Sequence, residues 1–200
     1  MDVNDFDGVA SYYDGLARLV FGSAVKRSQT AFLHLLDSSS KVLILGGGTG
    51  KILTQMPPVF SIVFMEKSAK MIAAAQKKPT QNEIFFRRQN FLLSNIEEHY
   101  DAILCPFFLD CFGEENLHIA TDKLKQLVRP GGYLFVSDFE YDKVSSPLSN
   151  LMHWFFRITT NLESRKLKPI HPLLISKGFE MAREKLFYQN MIFSRVYRNL

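Results

Sequence analysis

The chain has 200 residues, 46% of them hydrophobic and 22% charged, with a net charge of +4. This balance excludes a disordered or fibrous chain, and the length suits one domain that needs no disulfide or metal staple to fold. No apolar run reaches the ~18 residues of a membrane span, and the acidic opening MDVNDFDGVA lacks the basic and apolar regions of a secretory signal.

In chain order, the first 40 residues read as helices. Tyr12, Tyr13, Leu16, Val20 and Phe21 follow a helical pattern, and residues 24–36 form a second helical stretch. Asp37-Ser38-Ser39-Ser40 is a loop. Lys41–Leu45 then runs unbroken and apolar into glycines, as suits a strand buried on both faces. A short helix, Lys51–Met56, is stopped by Pro57-Pro58. Ile62–Met65 is a second strand, ending at Glu66. Ser68 is placed to cap a helix over Ala69–Lys78. Ile84–Phe86 and Ala102–Cys105 are further strands. Glu114–Val128 is a helix closed by a turn at Arg129-Pro130-Gly131-Gly132, and Tyr133–Val136 is a fifth strand. The alternation predicts an α/β fold with a doubly wound parallel sheet. Residues 140–170 break the alternation with a helix over Leu148–Ile158 and a basic loop over Arg165–Pro169. Pro172–Lys177 reads as a helix ended by Gly178. Phe179–Tyr188 and Met191–Tyr197 read as two strands joined at Gln189-Asn190.

The passage richest in information is strand, Gly46-Gly47-Gly48-Thr49-Gly50, helix. Glycine permits positive φ and close approach of a ligand to the backbone. Ligands of doubly wound sheets sit beyond the carboxyl ends of the strands. Glu66 ends the next strand, sixteen residues after Gly50, where a carboxylate can accept bonds from both hydroxyls of a ribose. The dinucleotide spacing G-x-G-x-x-G fails, because Lys51 or Leu53 stands where its third glycine belongs. A Walker loop fails as well, because Gly50-Lys51 is followed by Ile52. The spacing G-x-G-x-G is met by Gly46, Gly48 and Gly50.

With these features, the chain resembles the class I S-adenosylmethionine-dependent methyltransferases over nearly its whole length. The segments that carry the resemblance are Val42–Gly50, Phe64–Ile72, Tyr100–Leu104, Leu127–Leu134 and the tail from Gly178 to Tyr197. Phe6–Leu19, with Tyr12-Tyr13-Asp14, is similar to the N-terminal lid of the small-molecule branch, which includes quinone-biosynthesis methyltransferases. The resemblance implies a seven-stranded, mostly parallel sheet with an antiparallel C-terminal strand. It divides the chain into a helical lid (1–40), a cofactor-binding core (41–139), a substrate-covering insertion (140–170) and a C-terminal helix with a strand hairpin (171–200).

The cofactor so implied is S-adenosylmethionine. Gly46, Gly47, Gly48 and Gly50 would meet its methionine and ribose parts, and Glu66 the ribose hydroxyls. Lys67 and Met71 would border the adenine. Gln89, Asn90 and Phe91 fall where the family often has an acidic residue on the adenine amine, a bond that the amide oxygen of Asn90 can also accept. Gly46 departs from the family too, since many members carry an acidic residue near this point. Tyr12 and Pro106 complete the expected set.

Methyl transfer needs mainly positioning and exclusion of water, with a general base only for a protonated acceptor. Tyr13, Phe107, Phe108, His153 and Trp154 are the expected walls of an acceptor pocket. His153, Tyr12 and Asp110 are the candidate bases, although Asp110 equally suits an N-cap or loop anchor before the next helix. Cys105 and Cys111 read as inert, reduced thiols, in keeping with a cytoplasmic protein. The histidines show no metal-ligand spacing, so no metal is expected.

The expected partner is a small, partly apolar acceptor. Nucleic acid is disfavoured by the mild charge pattern, −2 over residues 1–120 and +6 over 121–200. It is also disfavoured by Cys105-Pro106-Phe107-Phe108, which lacks the polar residue and second proline of nucleobase amino-methylating enzymes. A nicotinamide oxidoreductase is disfavoured by the glycine spacing. An inactive cofactor-binding subunit of a partner is the alternative that these motifs leave open.

Overall fold

A computed structural model describes residues 21–140 and 168–200. Seven strands form one sheet: β1 (Lys41–Leu45), β2 (Ser61–Glu66), β3 (Ile84–Arg88), β4 (Tyr100–Pro106), β5 (Val128–Phe139), β6 (Phe179–Phe187) and β7 (Ile192–Asn199). Their order is β3-β2-β1-β4-β5-β7-β6. The first five are parallel, and β7 runs antiparallel to both β5 and β6. The helices are α1 (Ala24–Thr30), α2 (Ala69–Ala75), α3 (Glu114–Leu127) and α4 (Ile170–Ser176). None of the described helices is long and apolar enough to cross a membrane.

The unbroken apolar runs arise because the sheet is covered on both faces. Leu43, Leu45, Ile103, Leu134 and Val136 share one core with Leu117, Leu124 and Leu127 of α3 and Leu174 of α4. Val42, Ile44, Phe64 and Leu104 share the other with Leu33, Ile52, Leu53 and Met56. The pleat sends alternate residues of each strand to opposite cores.

Several elements differ in extent from the sequence reading. The stretch over 24–36 divides into α1 and a 3₁₀ turn at Leu33–Leu35, which brings Leu33 into the second core. The segment after the glycines is a 3₁₀ helix, Lys51–Gln55, because the prolines leave no room for α-turns. The second helix stops at Ala75, short of Lys78, which precedes Pro79 and is biased away from helical geometry. The third ends at Leu127, since Val128 is already extended. Arg129–Gly132 lies within β5 as a bulge, because the register passes from Tyr100↔Val128 to Ala102↔Tyr133. α4 starts at Ile170, two residues before Pro172, which a first helical turn tolerates. Gly178 ends it at φ +81°, as expected. The expected helices over Tyr12–Phe21 and Leu148–Ile158, apart from Phe21 itself, lie outside the described residues.

Candidate functional site

The strand order reverses between β1 and β4, and the loops that leave the carboxyl ends of β1 to β4 gather the expected residues at one edge of the sheet. Gly46, Gly48 and Gly50 adopt positive φ of 62°, 56° and 73°. Three of the loop's glycines are needed for packing within the protein. A Cβ on Gly46 would lie 2.5 Å from the Phe108 ring, one on Gly47 2.3 Å from the Phe64 ring, and one on Gly50 2.6 Å from Cβ of Ala75. Gly48 is different, because a Cβ there would meet no described atom within 4 Å. It is the open side of the loop.

Glu66 is 9% exposed, and its carboxylate spans two loops. Oε2 accepts the N–H of Gly48 at 3.2 Å, and Oε1 accepts the N–H of Ser68 at 3.0 Å. The Ser68 hydroxyl in turn accepts from the N–H of Met71 at 3.1 Å, which caps α2 as the sequence predicts and buries Met71. Gln89 donates its N–H to the carbonyl of Glu66 at 3.2 Å, and Arg88 donates from Nε to the carbonyl of Lys67 at 3.4 Å. The loops after β1, β2 and β3 are thus bonded to one another. Asn90 Oδ1 accepts the N–H of Leu92 at 3.0 Å, an Asx turn that shapes the third loop.

Past β4, Pro106 leads into Phe107, whose φ is +54° and whose N–H donates to the carbonyl of Ser137 at 2.7 Å. A bulky residue in the left-handed region is strained. This turn lays Phe108 over Gly46 and edge-on to Phe91 and Phe112, at 5.7 and 5.0 Å between centroids. Phe107 packs on Phe139 at 5.0 Å. Tyr12, Tyr13, His153 and Trp154 lie outside the described residues.

Asp110 is not the N-cap of α3, a position held by Gly113. It sits in a 3₁₀ turn, Leu109–Cys111, and anchors the loop by donating its N–H to Asp138 Oδ2 at 3.1 Å. The two carboxyls also share a hydrogen bond. Burial pushes the Asp110 carboxyl up to about 6 and Asp138 well above the ordinary range, the neighbouring Asp110 adding to the rise of Asp138. Asp138 escaped the sequence reading. Its signal is a carboxylate inside an otherwise apolar run, Leu134-Phe135-Val136-Ser137-Asp138-Phe139. Cys105 and Cys111 are free thiols, and burial pushes both pKa values up, so they stay protonated at neutral pH.

Residues 43–134 match the family model described as "Methyltransferase domain". Malonyl-[acyl-carrier protein] O-methyltransferase of Priestia megaterium is 26% identical over 137 residues, 67% of this chain and 49% of the relative. The chain therefore matches over about half the length of that enzyme. Among solved structures, N-methyltransferase NodS of Bradyrhizobium japonicum, in complex with S-adenosyl-L-homocysteine, aligns with a TM-score of 0.69 at 14% identity, over 94% of this chain and 97% of that one. The 1,6-didemethyltoxoflavin-N1-methyltransferase of Burkholderia thailandensis, with its substrate and S-adenosylhomocysteine bound, aligns with a TM-score of 0.67 at 17% identity, over 96% and 85%. At such identities these two likenesses concern the fold.

Proposed function

We propose that this chain, which belongs to the class I S-adenosylmethionine-dependent methyltransferases, transfers the methyl group of S-adenosylmethionine to a small, partly apolar acceptor. The observation that carries the reading is the pairing of Gly48 with Glu66. Gly48, the loop glycine whose Cβ would meet no described atom within 4 Å, lies beside a buried carboxylate, at the carboxyl ends of adjacent parallel strands. This is a cradle that a side chain at position 48 would fill.

In this reading Glu66 holds the ribose hydroxyls, its orientation fixed by the N–H groups of Gly48 and Ser68. Gly46, Gly47 and Gly50 shape the loop. Lys67, Met71, Gln89, Asn90 and Phe91 border the adenine. Pro106, Phe107 and Phe108 form an apolar wall at the methyl side, and Tyr12, Tyr13, His153 and Trp154 belong to the covering segments. When bound, S-adenosylmethionine supplies a methyl group already activated on a sulfonium, whose leaving group needs no proton. The chain's task is then to hold the acceptor in line and keep water away. The acceptor's chemistry is inferred from the aromatic side chains and the absence of any dense basic cluster in the sequence.

Titration calorimetry tests the cofactor. S-adenosylmethionine and S-adenosylhomocysteine are expected to bind and NAD is not, with a stabilisation of about 2.7 kcal/mol at ~100 times the dissociation constant. Binding of NAD without binding of either adenosyl compound would sink the reading. The loop gives a second expected result. Gly48→Ala should cost about 1–2 kcal/mol of stability through its positive φ alone, since space for a Cβ is open, yet weaken cofactor binding because that space is the ligand's. A folded variant with wild-type affinity would remove Gly48 from the ligand-facing wall.

A further inference from the structure

We propose that Lys123 of α3 is a positioning residue for the adenine side of the site, holding Asn90 in place through the loop that carries it. The inference rests on the reading of Gln89–Phe91 given above. This loop joins β3 to β4 without strand pairing of its own, so its carbonyls need donors from elsewhere. Lys123 provides them. Its ammonium donates to the carbonyl of Phe91 at 2.6 Å, to the carbonyl of Ser94, and to the Ser94 hydroxyl at 3.1 Å. An ammonium has three donors, and three loop acceptors converge on this one.

The acceptors are themselves linked. The Ser94 hydroxyl donates to the carbonyl of Phe91 at 2.8 Å, and the Ser94 N–H reaches the same oxygen at 3.4 Å. The ammonium also lies 5.0 Å from the centroid of the Phe91 ring, a cation–π distance. Phe91 is buried and edge-on to Phe108, which covers Gly46. Asn90 therefore stands directly before a residue fixed at its carbonyl and its ring, and its own Oδ1 is turned by Leu92. A lysine that served only as a solvated residue of the helix would not be half-buried against another loop. Burial lowers its pKa from the ordinary lysine value, in keeping with partial removal from water.

The test compares S-adenosylhomocysteine with S-inosylhomocysteine, which carries oxygen in place of the adenine amine, by calorimetry on the wild type, Lys123→Met and Lys123→Arg. The expected result is that Lys123→Met binds S-adenosylhomocysteine about 5- to 30-fold more weakly and loses much of its preference over the inosyl analogue, while Lys123→Arg recovers both. If Lys123→Met fails to fold, Ser94→Ala carries the test, with a smaller loss of preference in the same direction. A folded variant with both wild-type affinities overturns the assignment. So does one that loses both ligands equally with the preference intact, because that is the mark of a merely structural lysine. A wild type that binds neither ligand overturns the cofactor reading itself, and the assignment with it.

Discussion

Glu66→Ala will bind S-adenosylhomocysteine about 10- to 150-fold more weakly than the wild type, the loss expected when charge-assisted bonds worth roughly 1.5–3 kcal/mol disappear. The same change has a structural cost, because the N–H groups of Gly48 and of the buried Ser68 lose their acceptor. An unsatisfied buried donor costs about 1–3 kcal/mol. Melting temperature and affinity are therefore measured on the same preparation, with binding read well below the transition. Glu66→Gln separates the two effects, since it keeps one oxygen acceptor but turns an NH2 toward a backbone donor. Affinity should fall in both variants, and further in Glu66→Ala. Wild-type affinity in a folded Glu66→Ala protein would show that the ribose is held elsewhere.

The strands were the most legible part of the sequence. β1 spans the apolar run Lys41–Leu45 end to end, because a strand covered on both faces has no reason to alternate. Ser61, Arg87, Arg88 and Tyr100, which extend β2, β3 and β4 past their apolar cores, look like loop until the neighbouring strand is in place. The glycine loop and Glu66 were legible because they combine fixed spacing with element order. The contacts that shape the rest of the site were not. Asp110 and Asp138 are 28 positions apart, and Lys123 and Phe91 are 32 apart. Each pair meets only because the parallel crossovers pack the turn after β4 against the end of β5, and α3 against the loop after β3. Phe107 gives no sign in the sequence of its positive φ, which is imposed by the turn that delivers its N–H to Ser137.

The Asp110–Asp138 pair sets the second large effect, a loss of stability as pH rises through the range where most carboxylates have finished titrating. In the unfolded chain Asp110 titrates near 3.8, whereas in the folded protein it titrates at about 6, and Asp138 is also raised well above 3.8. Both folded values lie above the unfolded ones, so between them the folded state holds more protons. The contribution is complete below about pH 4 and is lost as pH rises through about 6 for Asp110, with the raised Asp138 carboxyl acting in the same direction. For Asp110 the displacement corresponds to about 3 kcal/mol.

Among the described groups that face the pair, Cys105, Cys111 and each carboxyl's partner, none carries a positive charge. Burial therefore dominates the rise, while hydrogen bonds from the Cys111 thiol and from the N–H groups of Asp110, Cys111 and Phe139 give partial compensation. Asp110→Asn replaces the shared proton with a permanent amide donor and leaves Asp138 free to ionise against it. Urea unfolding should show this variant more stable than the wild type by about 1–3 kcal/mol at pH 8, less so at pH 5, with the pH slope between them flattened. Equal slopes would mean that the pair does not share a proton. Turnover separates positioning from acid–base chemistry. The loop that Asp110 anchors carries Phe108 over Gly46, so a positioning role predicts that Asp110→Asn keeps kcat and holds cofactor affinity to higher pH than the wild type. A loss of about 100-fold or more in kcat, with affinity retained, would instead make Asp110 the base that takes the acceptor's proton.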